Sequence, residues 1–158
     1  MGITKKLFFV FCILVVGVVI LPITKPVLKI NFAQDAIYMF YTSQRVNSLD
    51  GTNIINCGTG SIVCCGLNSA SQIKPQLNGI LGEGIRVKNY NKNTLGSLKA
   101  RFCGLVVKTE VLDGYKIWYC YDASLPKFVT LSGQKINIQI AIDNCSINIG
   151  YPLILTGF

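Results

Sequence analysis

Cys57, Cys64, Cys65, Cys103, Cys120 and Cys145 are the side chains in this sequence best equipped for chemistry. Their spacing fits crosslinks better than a metal or redox centre. In CGTGSIVCC the intervals are seven and one, whereas a structural zinc site wants paired C-x₂₋₄-C knuckles. A thiol oxidoreductase wants C-x-x-C near a helix start, which the adjacent Cys64-Cys65 does not supply. All six follow a long apolar run, so an oxidising compartment and disulfides are expected, with free buried thiols as the plain alternative.

Other catalytic groups are scarce. The chain of 158 residues holds no histidine, so the usual serine and cysteine hydrolase arrangements are unavailable. Asp35, Asp50, Glu83, Glu110, Asp113, Asp122 and Asp143 show no spacing that implies paired carboxylates or a metal site. Asp113 reads as a turn former and Asp122 as a strand-end residue. GILGEG lacks the lysine and the preceding strand of a phosphate loop. Asn144-Cys145-Ser146 matches a glycosylation pattern, with an unfavourable cysteine at its centre. The expectation is a protein without catalytic activity, cofactor, metal or small-molecule substrate.

The formal net charge is +8. Lys5, Lys6, Lys25 and Lys29 border the apolar run and suit anionic headgroups. Arg86, Lys88, Lys92, Lys99 and Arg101 cluster in sequence near Tyr90 and Phe102. They form a candidate contact patch for nucleic acid or a surface ligand. A solvated loop before a strand explains the same residues.

The elements that must position these groups begin with LFFVFCILVVGVVIL, residues 7–21, between a lysine pair and Pro22. Leu7, Phe8, Phe9, Phe11, Leu14, Val18, Leu21 and Pro22 are expected to form a single-pass membrane anchor near the short end of the spanning range. A removed signal peptide shares the lysine pair but wants a nearby small-residue cleavage site. A buried helix is the third reading. Residues 1–28 are thus assigned to the anchor and 29–158 to an extracytoplasmic domain. Phe32, Ile37, Phe40, Tyr41 and Gln44 fall partly at helical spacing, so 29–46 reads as a helical extension.

Residues 47–72 read as turn-rich, followed by a short helix capped by Ser71 and ended by Gly82 and Gly84. From residue 98 the pattern changes to strands. Asp113-Gly114 and Ser132-Gly133 each signal a hairpin. The first hairpin makes Cys103–Cys120 the preferred bridge, provided a bulge or longer loop absorbs the register mismatch. Ile136, Ile138, Ile140 and Ile142 alternate with polar residues, as on a half-buried strand. CSINIGYPLILTGF adds a last strand with Pro152 at an edge or bend. The fold class expected is α+β: a long N-terminal hydrophobic and amphipathic helix, then a small disulfide-linked antiparallel sheet.

This order of parts resembles type IV pilins and the pseudopilins of type II secretion. The resemblance rests on the apolar helix broken by Pro22, its continuation to about Val46, and RFCGLVV followed by YKIWYCYDAS. Trp118, Tyr119, Cys120, Asp122 and Ser124 resemble the family's cysteine-bearing stretch, with Cys103 as the partner. Gly2 can stand for the family's processing glycine. The family's glutamate near the helix start has no counterpart before Asp35. The resemblance implies a structural subunit of a pilus-like or secretion-related filament, in a minor or tip position. Its partners would be the bilayer and other subunits through the N-terminal helix. The alternative is a single-pass envelope or viral ectodomain that binds a protein, membrane or DNA partner.

Overall fold

The computed structural model describes residues 25–28, 30 and 35–155. Its centre is an open eight-stranded antiparallel sheet in the order β2-β3-β1-β4-β10-β9-β6-β5. The strands are β1 (Ala36–Thr42), β2 (Asn53–Cys57), β3 (Gly60–Gly66), β4 (Ile80–Lys88), β5 (Val106–Leu112), β6 (Tyr115–Cys120), β9 (Ile138–Ile142) and β10 (Ser146–Tyr151). A separate hairpin pairs β7 (Val129–Leu131) with β8 (Gln134–Ile136). Among the described residues two α-helices interrupt the strands, α1 (Ala70–Ile73) and α2 (Lys92–Phe102).

The period-two alternation of strands sorts side chains onto two faces. The inner face carries Tyr38 and Phe40, Val63 and Cys65, Ile85 and Val87, then Ile147, Ile149 and the isoleucines of β9. Leu28, Ile73, Leu77, Leu98 and Phe102 join the same buried cluster. Helix α2 reaches it because Thr94, Leu98 and Phe102 recur at four-residue intervals and are buried. Asn91 caps its start by accepting the Thr94 N–H at 2.9 Å. Lys99 and Arg101 lie in its last turn, where the helix dipole favours cations.

The outer face is lined differently on its two sides. On one side Ile117, Tyr119 and Ala141 pack beneath Ile136, Leu153 and Ile154. Two glycines let the C-terminal segment lie flat across the middle. A Cβ at Gly150 would collide with the Leu153–Ile154 backbone. One at Gly82 would sit 2.6 Å from the Tyr151 carbonyl oxygen. On the other side Ile37 and Ile55 remain 42% and 49% exposed.

Several expectations are corrected here. Residues 36–42, read as part of a helix, form β1, a strand flanked by β3 and β4. A strand buried on both faces loses its alternation and leaves a continuous apolar run, which spacing alone does not separate from helix. Residues 92–102, in part read as strand, form α2. Residues 53–66, read as loop, form the β2–β3 hairpin, and Gly82 and Gly84 lie inside β4.

The long N-terminal helix of the expected fold class is therefore not present over 36–46. Among the described residues no helix is long and apolar enough to cross a membrane. Leu7, Phe8, Phe9, Phe11, Leu14, Val18, Leu21 and Pro22 lie outside the described residues. The pilin-like assignment rested on one helix from residue 7 to 46, and a central strand in its second half overturns it. The filament function and the helix-borne subunits as partners fall with it. For the single-pass localisation, the envelope-ectodomain alternative and the bilayer as partner, the described residues supply no spanning helix.

The expected crosslinks are corrected as well. Cys57, Cys64, Cys65, Cys103, Cys120 and Cys145 are all free thiols. Both glycine turns form as read, Leu112 facing Tyr115 and Leu131 facing Gln134. The bulge in the first hairpin lies between Val106 and Lys108, so Cys120 faces Val106 rather than Cys103. Cys103 belongs instead to an exposed 3₁₀ turn between α2 and β5.

Candidate functional site

The most concentrated polar chemistry surrounds Glu83, the one acid in the otherwise apolar and glycine-rich start of β4. Strand alternation turns its side chain to the inner face beside Tyr38, and the residue is 2% exposed. A carboxylate there is tolerable only if paired and hydrogen-bonded. Lys74 supplies the cation, with Nζ 2.7 Å from Glu83 Oε1. The short α1 and the following 3₁₀ turn (Lys74–Gln76) carry Lys74 to this place.

The remaining bonds of this centre reach the incoming chain. Val27 N–H donates to Glu83 Oε2 at 2.7 Å, and the Tyr38 hydroxyl donates to the same oxygen. Leu28 N–H donates to the Tyr38 hydroxyl at 3.3 Å. Lys74 Nζ donates to the Lys25 carbonyl at 2.8 Å. Burial, reinforced by the negative charge of Glu83, pushes the Tyr38 hydroxyl far above the normal phenol range. Tyr38 therefore stays a neutral donor at any physiological pH. The ion pair and the phenol act together as a clasp on the backbone of residues 25–28, and Leu28 is buried in the core beside it.

Two clefts flank this segment and share Val27 and Pro126 as walls. The larger, about 380 Å³, lies among Lys25, Pro26, Arg101, Ser124 and Leu125. The smaller, about 190 Å³, is lined by Lys74, Ile80, Gly82, Glu83, Lys127 and Tyr151. Their charged groups are largely engaged. Arg101 pairs with Asp122 at 3.3 Å and lies over the Phe102 ring. Lys127 Nζ donates to the Ile80 carbonyl at 3.2 Å. Hydrogen bonds from Ser124, and then the Arg101 guanidinium, hold the Asp122 carboxyl below the usual range.

The five basic residues proposed as one patch do not come together as one. Arg86 and Lys88 lie on the outer face of β4, beside Tyr115, Ser146 and Asn148 around a depression of about 170 Å³. Arg86 Nε donates to Asn148 Oδ1 at 2.7 Å. Lys92, Lys99 and Arg101 belong to α2, whose buried residues join the inner-face cluster. The cysteines form no single cluster, although Cys64 lies beside Cys65 and Cys103 lies within electrostatic reach of Cys120. Cys65 and Cys120 are buried on the inner face, and burial raises their thiols to about 11 and about 12. Burial raises Cys64 as well, while Cys57, Cys103 and Cys145 are exposed.

Sequence reading counted Glu83 only among scattered acids and did not single out Lys74 or Tyr38. A lone glutamate within a strand-like run, ILGEGIRV, was the available signal. Its partners come from 9 and 45 residues away, and no local spacing announces them. Comparison with protein-family models, with curated proteins and with solved structures finds no match.

Proposed function

We propose that this protein is a non-catalytic sheet domain that acts by contact and holds the segment joining residues 1–24 to its core. The observation that carries the reading is the use made of the Glu83 centre. Its oxygens receive Lys74, Tyr38 and Val27, and Lys74 in turn serves the Lys25 carbonyl. A general base needs an acceptor within reach of a proton on an outside molecule. Here the acceptor capacity is spent on the protein's own backbone, which suits a fastening rather than a reaction.

Amide hydrogen exchange on Lys74→Met and Glu83→Gln tests this. Val27 and Leu28 should lose protection while the amides of β9 and β10 keep theirs. Unchanged protection at 27 and 28 would remove the clasp. Glu83-dependent turnover of an ester or phosphoester probe would replace it with a catalytic centre.

A further inference from the structure

We infer that the open edge of β2 is a self-association surface, which pairs with β2 of a second copy of this chain across a two-fold axis at Ile55. This goes beyond the clasp and rests on different residues. Among the described residues the sheet has two open edges, β2 and β5. The β5 edge is broken by the bulge at Val106/Lys108 and carries the Lys108–Glu110 ion pair. Bulges and edge charges are the usual means of preventing strand addition. The β2 edge, Asn-Ile-Ile-Asn-Cys, has no charge, no proline and a regular register with β3.

Backbone directions along β2 follow from its turn. Gly58 at φ +59° and Thr59 connect Cys57 to Gly60. Cys57, Ile55 and Asn53 thus exchange their bonds with Gly60, Ile62 and Cys64, and Ile54 and Asn56 aim N–H and C=O at the open edge. Among the described residues, the main-chain bonds made outside the regular elements involve neither of these two. A second β2 placed antiparallel with Ile55 on the axis sets Ile54 against Asn56 and Asn56 against Ile54. About four main-chain bonds then form. This register keeps inner faces together and outer faces together, as strand alternation requires. Ile55 then meets its copy as a non-hydrogen-bonded pair, where side chains come closest.

Charge favours a copy as the occupant. The chain carries +8, yet no charged residue stands between Asp50 and Lys74. That interval contains β2, β3 and α1, so two copies meet there without like charges in contact. Ile55 is half exposed and Ile62 lies beside it on the outer face, so joining the edges covers apolar surface in both copies.

Sedimentation equilibrium of the full chain between about 1 and 100 µM tests the pairing. The wild-type chain should be dimeric, whereas Ile55→Lys and Ile55→Glu should each be monomeric because like charges meet on the axis. An equimolar mixture of the two variants should restore the dimer. Ile55→Cys should give a copy-to-copy disulfide at position 55 with diamide as oxidant, located by peptide mass mapping. The facing Cα atoms, about 4.5 Å apart, suit such a bond. A monomeric wild type, a charged variant that still dimerises, or a mixture that stays monomeric would overturn the assignment. Since the clasp is read by exchange at Val27 and Leu28, either proposal can fail while the other stands.

Discussion

Replacing Lys74 by methionine keeps most of the side chain's length and removes its charge. Glu83 then remains in the inner face, 2% exposed, with Tyr38 and Val27 as donors and no cation. Breaking a buried pair by removing one partner costs about 3–5 kcal/mol, because the other charge is left uncompensated. The Lys25 carbonyl also loses its donor, which adds about 1 kcal/mol. A domain of this size has a total stability of about 5–15 kcal/mol, so the loss is a large fraction. Glu83→Gln/Lys74→Met removes both charges and leaves a carbonyl oxygen for Val27 and Tyr38. Its cost should be well below the sum of the two single changes. Urea unfolding of the four proteins gives the cycle directly. A Lys74→Met loss below about 1 kcal/mol, or strict additivity, would show the pair to be water-accessible and refute the reasoning.

Glycine replacements should separate contact from propensity. Gly150→Ala drives a Cβ into the Leu153–Ile154 backbone and should cost about 1–3 kcal/mol, whereas Gly96→Ala, in open space on α2, should stabilise by about 0.5–1 kcal/mol; thermal unfolding reads both. Among the six described cysteines, Cys57, Cys103 and Cys145 should react rapidly with an aromatic disulfide reagent at pH 8, and Cys65 and Cys120 only on unfolding. The Asp122 and Asp143 carboxyls are held low. For Asp143, burial opposes the shift, and the Cys145 and Ser146 N–H groups overcome it. A depressed folded value gives stability that is present above the unfolded carboxylate pKa of about 3.9 and lost as pH falls through the folded one. Asp122→Asn should therefore flatten part of the acid limb of a stability–pH curve between about pH 5 and 2.

Local signals decided only part of the fold. Asp113-Gly114 and Ser132-Gly133 form the hairpin turns their types require, with φ +52° and +84° at the first pair and +50° and +82° at the second. Ile138, Ile140 and Ile142 share the inner face, whereas Ile136, read with them, ends β8 and packs with the outer-face cluster, and β9 is buried on both faces rather than one. At the turns each residue's preference depends on the chain next to it. The same reasoning misread 36–42, because Met39 and Tyr41 on the outer face are buried along with Tyr38 and Phe40 on the inner one. It also misread 98–102, where Leu98 and Phe102 become a helical stripe only against the inner-face cluster.

By itself the sequence determined the chain's chemical range: no histidine, dispersed acids and cysteines, and a surplus of basic residues. It also set the turns that make antiparallel neighbours. Tertiary structure alone decided which of those residues meet. Glu83 becomes the centre of a clasp because β4 lies beside β1 and because the turn after α1 brings Lys74 over that seam. Arg86 and Arg101 part company because a strand and a helix carry them. Cys120 faces Val106 across the bulged hairpin, and Cys103 stands in the turn before β5. Proximity across long loops depends on the packing of whole elements, and no interval in the sequence encodes it.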